Sequence, residues 1–86
     1  MKVFIPTPLR SYTGDRSEVE ASGATIAEVL ADLDRNYPGI RFRMVDEAGR
    51  VRPHVQVFVG GAIERDPAAP LPPDADVFIV GALSGG

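Results

Sequence analysis

Apolar residues at Ile26, Val29, Leu30, Leu33 and Tyr37 follow the i, i+3, i+4, i+7 spacing of one helix face. Thr25 and Glu28 stand at capping-box spacing: the Thr25 hydroxyl can accept from the Glu28 amide while Glu28 reaches back. Pro38-Gly39 closes the run, and Glu28, Asp32, Asp34 and Arg35 occupy the wet side. A helix with one apolar stripe needs an apolar surface to lie on, and the remainder of the chain must supply it.

It does so with period-two segments. Met1, Val3 and Ile5 share one side and Lys2 and Phe4 the other, up to Pro6, which cannot donate to a ladder. Thr7 to Thr13 reads as a loop. Ser17 to Ala21 repeats the alternation, with Val19 and Ala21 on one side, and forms a hairpin with the first segment through a loop around Gly14-Asp15. Ile40 to Val45 alternates again, Phe42 and Met44 opposed to Arg41 and Arg43, and Asp46 to Gly49 is a turn. Val55, Val57 and Val59 alternate with His54, Gln56 and Phe58 in a strong strand ended by Gly60-Gly61. Asp66 to Asp76 is a proline-rich loop suited to an extended path. Val77 to Val80 is the last strand. The expected order, β-β-α-β-β with one main helix, fits an α+β domain with the helix across one face of a mixed sheet. We expect the domain over 1–80 and a flexible tail over 81–86.

With 86 residues the chain is one small domain with a thin core, and having no cysteine it cannot add disulfides or a thiolate metal site. A net charge of −3 argues against nucleic acid as the main partner. No apolar run approaches the ~20 residues of a membrane span, and the apolar part of the N-terminus is too short for a signal peptide. The expected location is the cytoplasm. Lys2 is the only lysine.

The order of elements, Val57-Phe58-Val59-Gly60-Gly61, and Gly85-Gly86 following a final apolar strand resemble the ubiquitin-like sulfur carriers. These include the small subunit of molybdopterin synthase, the thiamine-pathway carrier and their cysteine-forming relative. The resemblance covers nearly the whole chain. Asp46-Glu47-Ala48-Gly49-Arg50 before the valine strand is most similar to the longer members. It implies a β-grasp fold, with the first and last strands parallel neighbours. It also implies a mechanism in which an ATP-dependent, ubiquitin-activating-like adenylyltransferase adenylates the Gly86 carboxylate. A sulfide equivalent then replaces the adenylate, and the thiocarboxylate donates sulfur to an acceptor on a biosynthetic enzyme. The chain would then be a carrier and co-substrate and no enzyme, holding no cofactor or metal of its own, with ATP used by the activating enzyme. The residues suit this. Glycine has no Cβ to obstruct approach to the carboxyl carbon, and Gly85-Gly86 can thread a narrow channel. From Val77 to Gly86 no side chain is charged. Two terminal glycines arise by chance in only about 0.5% of chains. The alternatives are a protein modifier joined through Gly86 to target lysines, and a plain β-grasp binding module.

The phenylalanines suggest where a partner would grip. Val3 and Ile5, then Val55, Val57 and Val59, then Val77 and Ile79 share one side of their strands; Phe4, Phe58, Phe78 and Val80 take the other. If the helix covers the β-branched side, the aromatics form an open apolar patch of the kind that marks a partner surface. The alternative is burial under a loop. Together with Leu83 and Ser84 in the tail, these are the expected partner-binding residues. Four further features carry less. His54, the only histidine, reads as polar surface. The cluster Arg41, Arg43, Arg50 and Arg52 reads as a solvated strand edge, with an acidic partner patch as the alternative. Asp46-Glu47 reads as turn chemistry. Gly60-Gly61 lacks the lysine and following helix of a phosphate loop.

Overall fold

The structure, a computed structural model, describes residues 1–81. Its elements are β1 (Lys2–Phe4), a 3₁₀ helix (Thr7–Tyr12), β2 (Glu18–Glu20), α1 (Ile26–Asn36), α2 (Ile40–Met44), β3 (Val55–Val59), β4 (Ala62–Ile63) and β5 (Val77–Gly81). The strands form one mixed sheet in the order β2-β1-β5-β3-β4. β1 runs parallel to β5, with Val3 opposite Val77 and Phe4 opposite Phe78. The other pairings are antiparallel. This is the expected β-grasp, with β5 at its centre.

Both helices lie on one face. The sheet contributes Val3, Ile5, Val19, Val55, Val57, Val77 and Ile79 to the core. The helices contribute Ile26, Val29, Leu30, Leu33, Ile40 and Met44. The β-branched side of each strand is therefore the helix side. The cap of α1 forms as the spacing predicts: Thr25 Oγ1 accepts from the Glu28 amide at 3.2 Å, while Glu28 Oε1 accepts from the Ala24 amide at 3.0 Å. The proline-rich loop completes this end, since the Pro67 carbonyl accepts from the Ala27 amide at 2.8 Å and the Ala24 carbonyl from the Leu71 amide at 2.8 Å. An N-terminal helix amide that has no partner inside the helix is thereby satisfied.

Two local expectations change, and one element is added. Thr7 to Thr13 is not a plain loop, because Pro8 sits in the first turn of a 3₁₀ helix that buries Leu9. Ile40 to Val45 is not extended: Ile40–Met44 is a short helix, entered through Gly39 at φ +97°. Ile40 and Met44 are fully buried while Phe42 is 53% exposed, so a separation of four selects the inward face. Asp34 Oδ1 fastens this corner by accepting from the amides of Gly39 at 3.0 Å and Arg41 at 3.2 Å. Gly60-Gly61 ends β3 at Val59 as expected, and a short strand outside the expected order follows it. Both glycines take positive φ, +59° and +86°, and turn the chain into β4, as left-handed pairs do in two-residue hairpins.

Candidate functional site

The register of the sheet sets the open face. Phe4 lies opposite Phe78, Phe78 opposite Phe58, and Phe58 opposite Ile63, so one cross-strand row spans β1, β5, β3 and β4. The Phe4 and Phe78 rings stack at 4.2 Å between centroids with 5° between planes. Phe4 and Phe58 are half-buried, whereas Phe78 and Val80 are each 44% exposed and Ile63 is 50% exposed. All four sheet residues singled out in the sequence therefore stand on the uncovered face. Ile63 completes the row; its signal was the Gly-Gly turn, which folds the next two residues back beside Phe58. The row ends at Glu18 on β2, whose carboxylate pairs with Lys2 Nζ at 3.5 Å, giving the apolar strip a charged border.

β5 runs through this face and leads toward the tail, with Gly81 opposite Val55 on β3. Leu83, Ser84, Gly85 and Gly86, and the expected flexible tail with them, lie outside the described residues. Beside Gly81 is a recess of about 260 Å³ lined by Pro8, Ser11, Tyr12, Arg43 and His54. A second hollow, lined by Tyr12, Phe42, Arg43, Arg52 and His54, adjoins it. Arg43 Nε donates to the Tyr12 hydroxyl at 2.7 Å, and this bond holds the guanidinium pKa above its ordinary value. Arg52 Nε donates to the Phe42 carbonyl at 2.9 Å, and its guanidinium lies 5.3 Å from the centre of the Phe42 ring.

The remaining polar features are structural. Asp46 Oδ1 accepts from the amides of Ala48 at 2.9 Å and Arg50 at 3.0 Å, so Asp46 is turn chemistry. The Arg50 amide bond is the main reason its carboxyl titrates below the usual range. Arg50 is spent on the same turn, its Nε 3.2 Å from Asp46 Oδ2. Three arginines of the cluster thus divide: Arg50 holds a turn, Arg43 lines the recess at Gly81, and Arg43 and Arg52 together line the hollow that adjoins it. Among the described residues, no group of three or more His, Cys, Asp or Glu side chains is placed to hold a metal ion, and no helix is long and apolar enough to cross a membrane.

Comparison with known proteins agrees with this geometry. Residues 3–86 match the model of the ThiS family. The sulfur carrier protein CysO of Mycobacterium tuberculosis is 37% identical over 89 residues, covering 98% of this chain and 96% of that protein. The crystal structure of Mycobacterium tuberculosis CysO superposes with a TM-score of 0.88 at 33% identity, covering 95% of this chain and 98% of that one. A chain of the Amycolatopsis orientalis BexX/CysO complex superposes with a TM-score of 0.90 at 32% identity, covering 99% of this chain and 98% of that one. With a β-grasp body, an uncovered aromatic face and a match along nearly its whole length, this chain belongs to the ThiS family of ubiquitin-like sulfur carriers.

Proposed function

We propose that this sulfur carrier works through the carboxylate of Gly86. The carboxylate oxygen attacks the α-phosphorus of ATP on an activating enzyme, and pyrophosphate leaves. A sulfide equivalent attacks the acyl carbon, AMP leaves, and the product is a thiocarboxylate. The thiocarboxylate sulfur then attacks an acceptor held by a biosynthetic enzyme, and hydrolysis of the resulting thioester leaves sulfur on the acceptor and restores the Gly86 carboxylate. The chain is a co-substrate in this cycle and carries no cofactor of its own. The observation that bears most weight is the uncharged run from β5 to Gly85-Gly86, which the family match follows to residue 86. Among the outcomes open to such carriers, the CysO relatives support the cysteine-forming branch.

The open face supplies the grip. Phe4, Phe58, Phe78 and Val80 sit on the face crossed by the strand that leads to the tail, and we assign them, with Leu83 and Ser84, to partner contact. A relative has been crystallised in a BexX/CysO complex, which supports an enzyme partner here too. Exposed aromatics in a flat strip are the residues that dominate protein interfaces.

The test is adenylation with ATP and an activating enzyme, followed by sulfide loading and intact-mass measurement. The chain ending at Gly86 should gain a thiocarboxylate. A short tag beyond Gly86 should abolish the product, because the reacting carbon must be the last carboxyl, and removal of Gly86 should abolish it because the shortened tail sets that carboxyl one residue back. Thiocarboxylate on a tagged, untrimmed chain would refute the assignment. Isopeptide-linked targets without thiocarboxylate would favour the modifier reading.

A further inference from the structure

We propose that the arginine pair Arg43 and Arg52, of which Arg43 lines the recess at Gly81 and Arg52 the hollow adjoining it, is a second docking surface that receives carboxylates of the activating enzyme. This rests on the carrier reading above and extends it from the apolar face to a charged one.

Three observations carry it. First, the two guanidiniums are aimed but unspent. Each uses Nε on a fixed acceptor, the Tyr12 hydroxyl for Arg43 and the Phe42 carbonyl for Arg52, and the Nη groups of neither make a hydrogen bond among the described residues. Neither takes part in an ion pair among the described residues, whereas Arg35 and Arg50 are paired to Asp32 and Asp46. Second, among the described residues no carboxylate lines either hollow, although the chain carries 12 acidic residues against 9 basic ones. Arg52 also borders a further hollow with Asp46 and Glu47, where Asp46 is already bonded to Arg50, so Arg43 and Arg52 keep no ion-pair partner among the described residues. Third, position forces contact. Five residues follow Gly81, and a fully extended run of five reaches at most about 18 Å. An enzyme that brings Gly86 to its ATP must therefore press against the body around Gly81, whose neighbours are Tyr12, Arg43 and His54.

The occupant follows from the chemistry. Planar guanidiniums held by Nε offer paired donors that match carboxylates, and Arg43 and Arg52 are both held in this way. A pair of arginines on an acidic chain is too small a footprint for a nucleic-acid backbone, which needs a broad basic surface. Aspartate and glutamate side chains around the mouth of the enzyme's tail channel fit. Such a contact governs encounter and register more than the chemical step.

The experiment is ATP–pyrophosphate exchange by an activating enzyme that adenylates the wild-type chain, with the full-length chain as variable substrate. For wild type, KM should rise with added salt. Arg43→Glu with Arg52→Glu should raise KM at least tenfold at low salt, leave kcat within about twofold, and flatten the salt dependence, with the thermal midpoint checked in parallel. Should the double reversal unfold the chain, Arg43→Gln with Arg52→Gln gives the same comparison with a smaller KM effect. A wild-type KM that ignores salt, or reversals that leave KM and its salt slope unchanged, would overturn the docking surface while the carrier reading stands. Wild-type chain that no such enzyme adenylates would remove both.

Discussion

At the residue scale, the two sides of β5 and β3 make opposite demands. Val57 is 1% exposed beneath the helices, while Phe78 is 44% exposed on the other face. Val57→Ala should cost about 2 kcal/mol in a core that cannot collapse fully. Phe78→Ala should cost at most about 1.5 kcal/mol, the worth of its stacking on Phe4, yet weaken partner binding. Urea denaturation and a binding isotherm on each variant check this; a Phe78→Ala chain that unfolds while Val57→Ala is silent would invert the two faces. Gly23 makes a sharper demand, one the sequence does not advertise. A Cβ there would meet the Val29 backbone nitrogen at 2.7 Å and the Glu28 carbonyl carbon at 2.9 Å. These are helix backbone atoms that cannot swing aside, so Gly23→Ala should destabilise by about 1–3 kcal/mol. At roughly 4–8 °C per kcal/mol for a domain of this size, calorimetry would register it, and an unchanged midpoint would contradict the close approach.

At the scale of elements, α1 is tied to the segment that follows β2 by one carboxylate. Asp32 Oδ2 accepts from the Ser22 amide at 3.0 Å, and Asp32 Oδ1 from Arg35 Nη2 at 2.7 Å. The Ser22 bond first, and Arg35 second, lower its pKa. A carboxyl whose folded pKa lies below its unfolded value binds fewer protons when folded. Its stabilisation is present above the unfolded pKa and is lost as pH falls through the folded one. Stability should therefore drop below about pH 4, and Asp32→Asn should flatten that limb. Denaturation midpoints from pH 6 downward give the measurement; an Asp32→Asn chain with an unaltered acid limb would place the titration elsewhere, Asp46 being the next candidate.

At the scale of the whole molecule, the parallel pairing of β1 with β5 closes the fold. β5 has a neighbour on both sides, with β1 on one and β3 on the other, whereas β2 and β4 are the sheet's edges. Opening the centre requires breaking both ladders, so its amides should report global unfolding while the edges open locally. In native-state hydrogen exchange, Ile79 and Phe58 should be among the slowest amides, and those of β2 and β4 markedly faster. Equal protection from edge to centre would argue against this order of strands.

Much of this was legible in the chain itself. The helix and its cap rest on contacts within one or two turns, so Thr25, Glu28 and the Ile26 to Leu33 stripe announce themselves. The division of the strands into a β-branched face and an aromatic face is equally local, because alternate residues must point to opposite sides. Ile40 to Val45 shows the limit: residues four apart share a side in a strand and in a helix alike, so five residues could not tell the two apart. Only the corner held by Asp34 and the room beneath α1 decided. The row that runs from Phe4 to Ile63, and the meeting of Arg43 with Tyr12 across 31 residues, belong to the tertiary structure. Cross-strand register and the packing of distant segments depend on where the chain returns, and no local period records that.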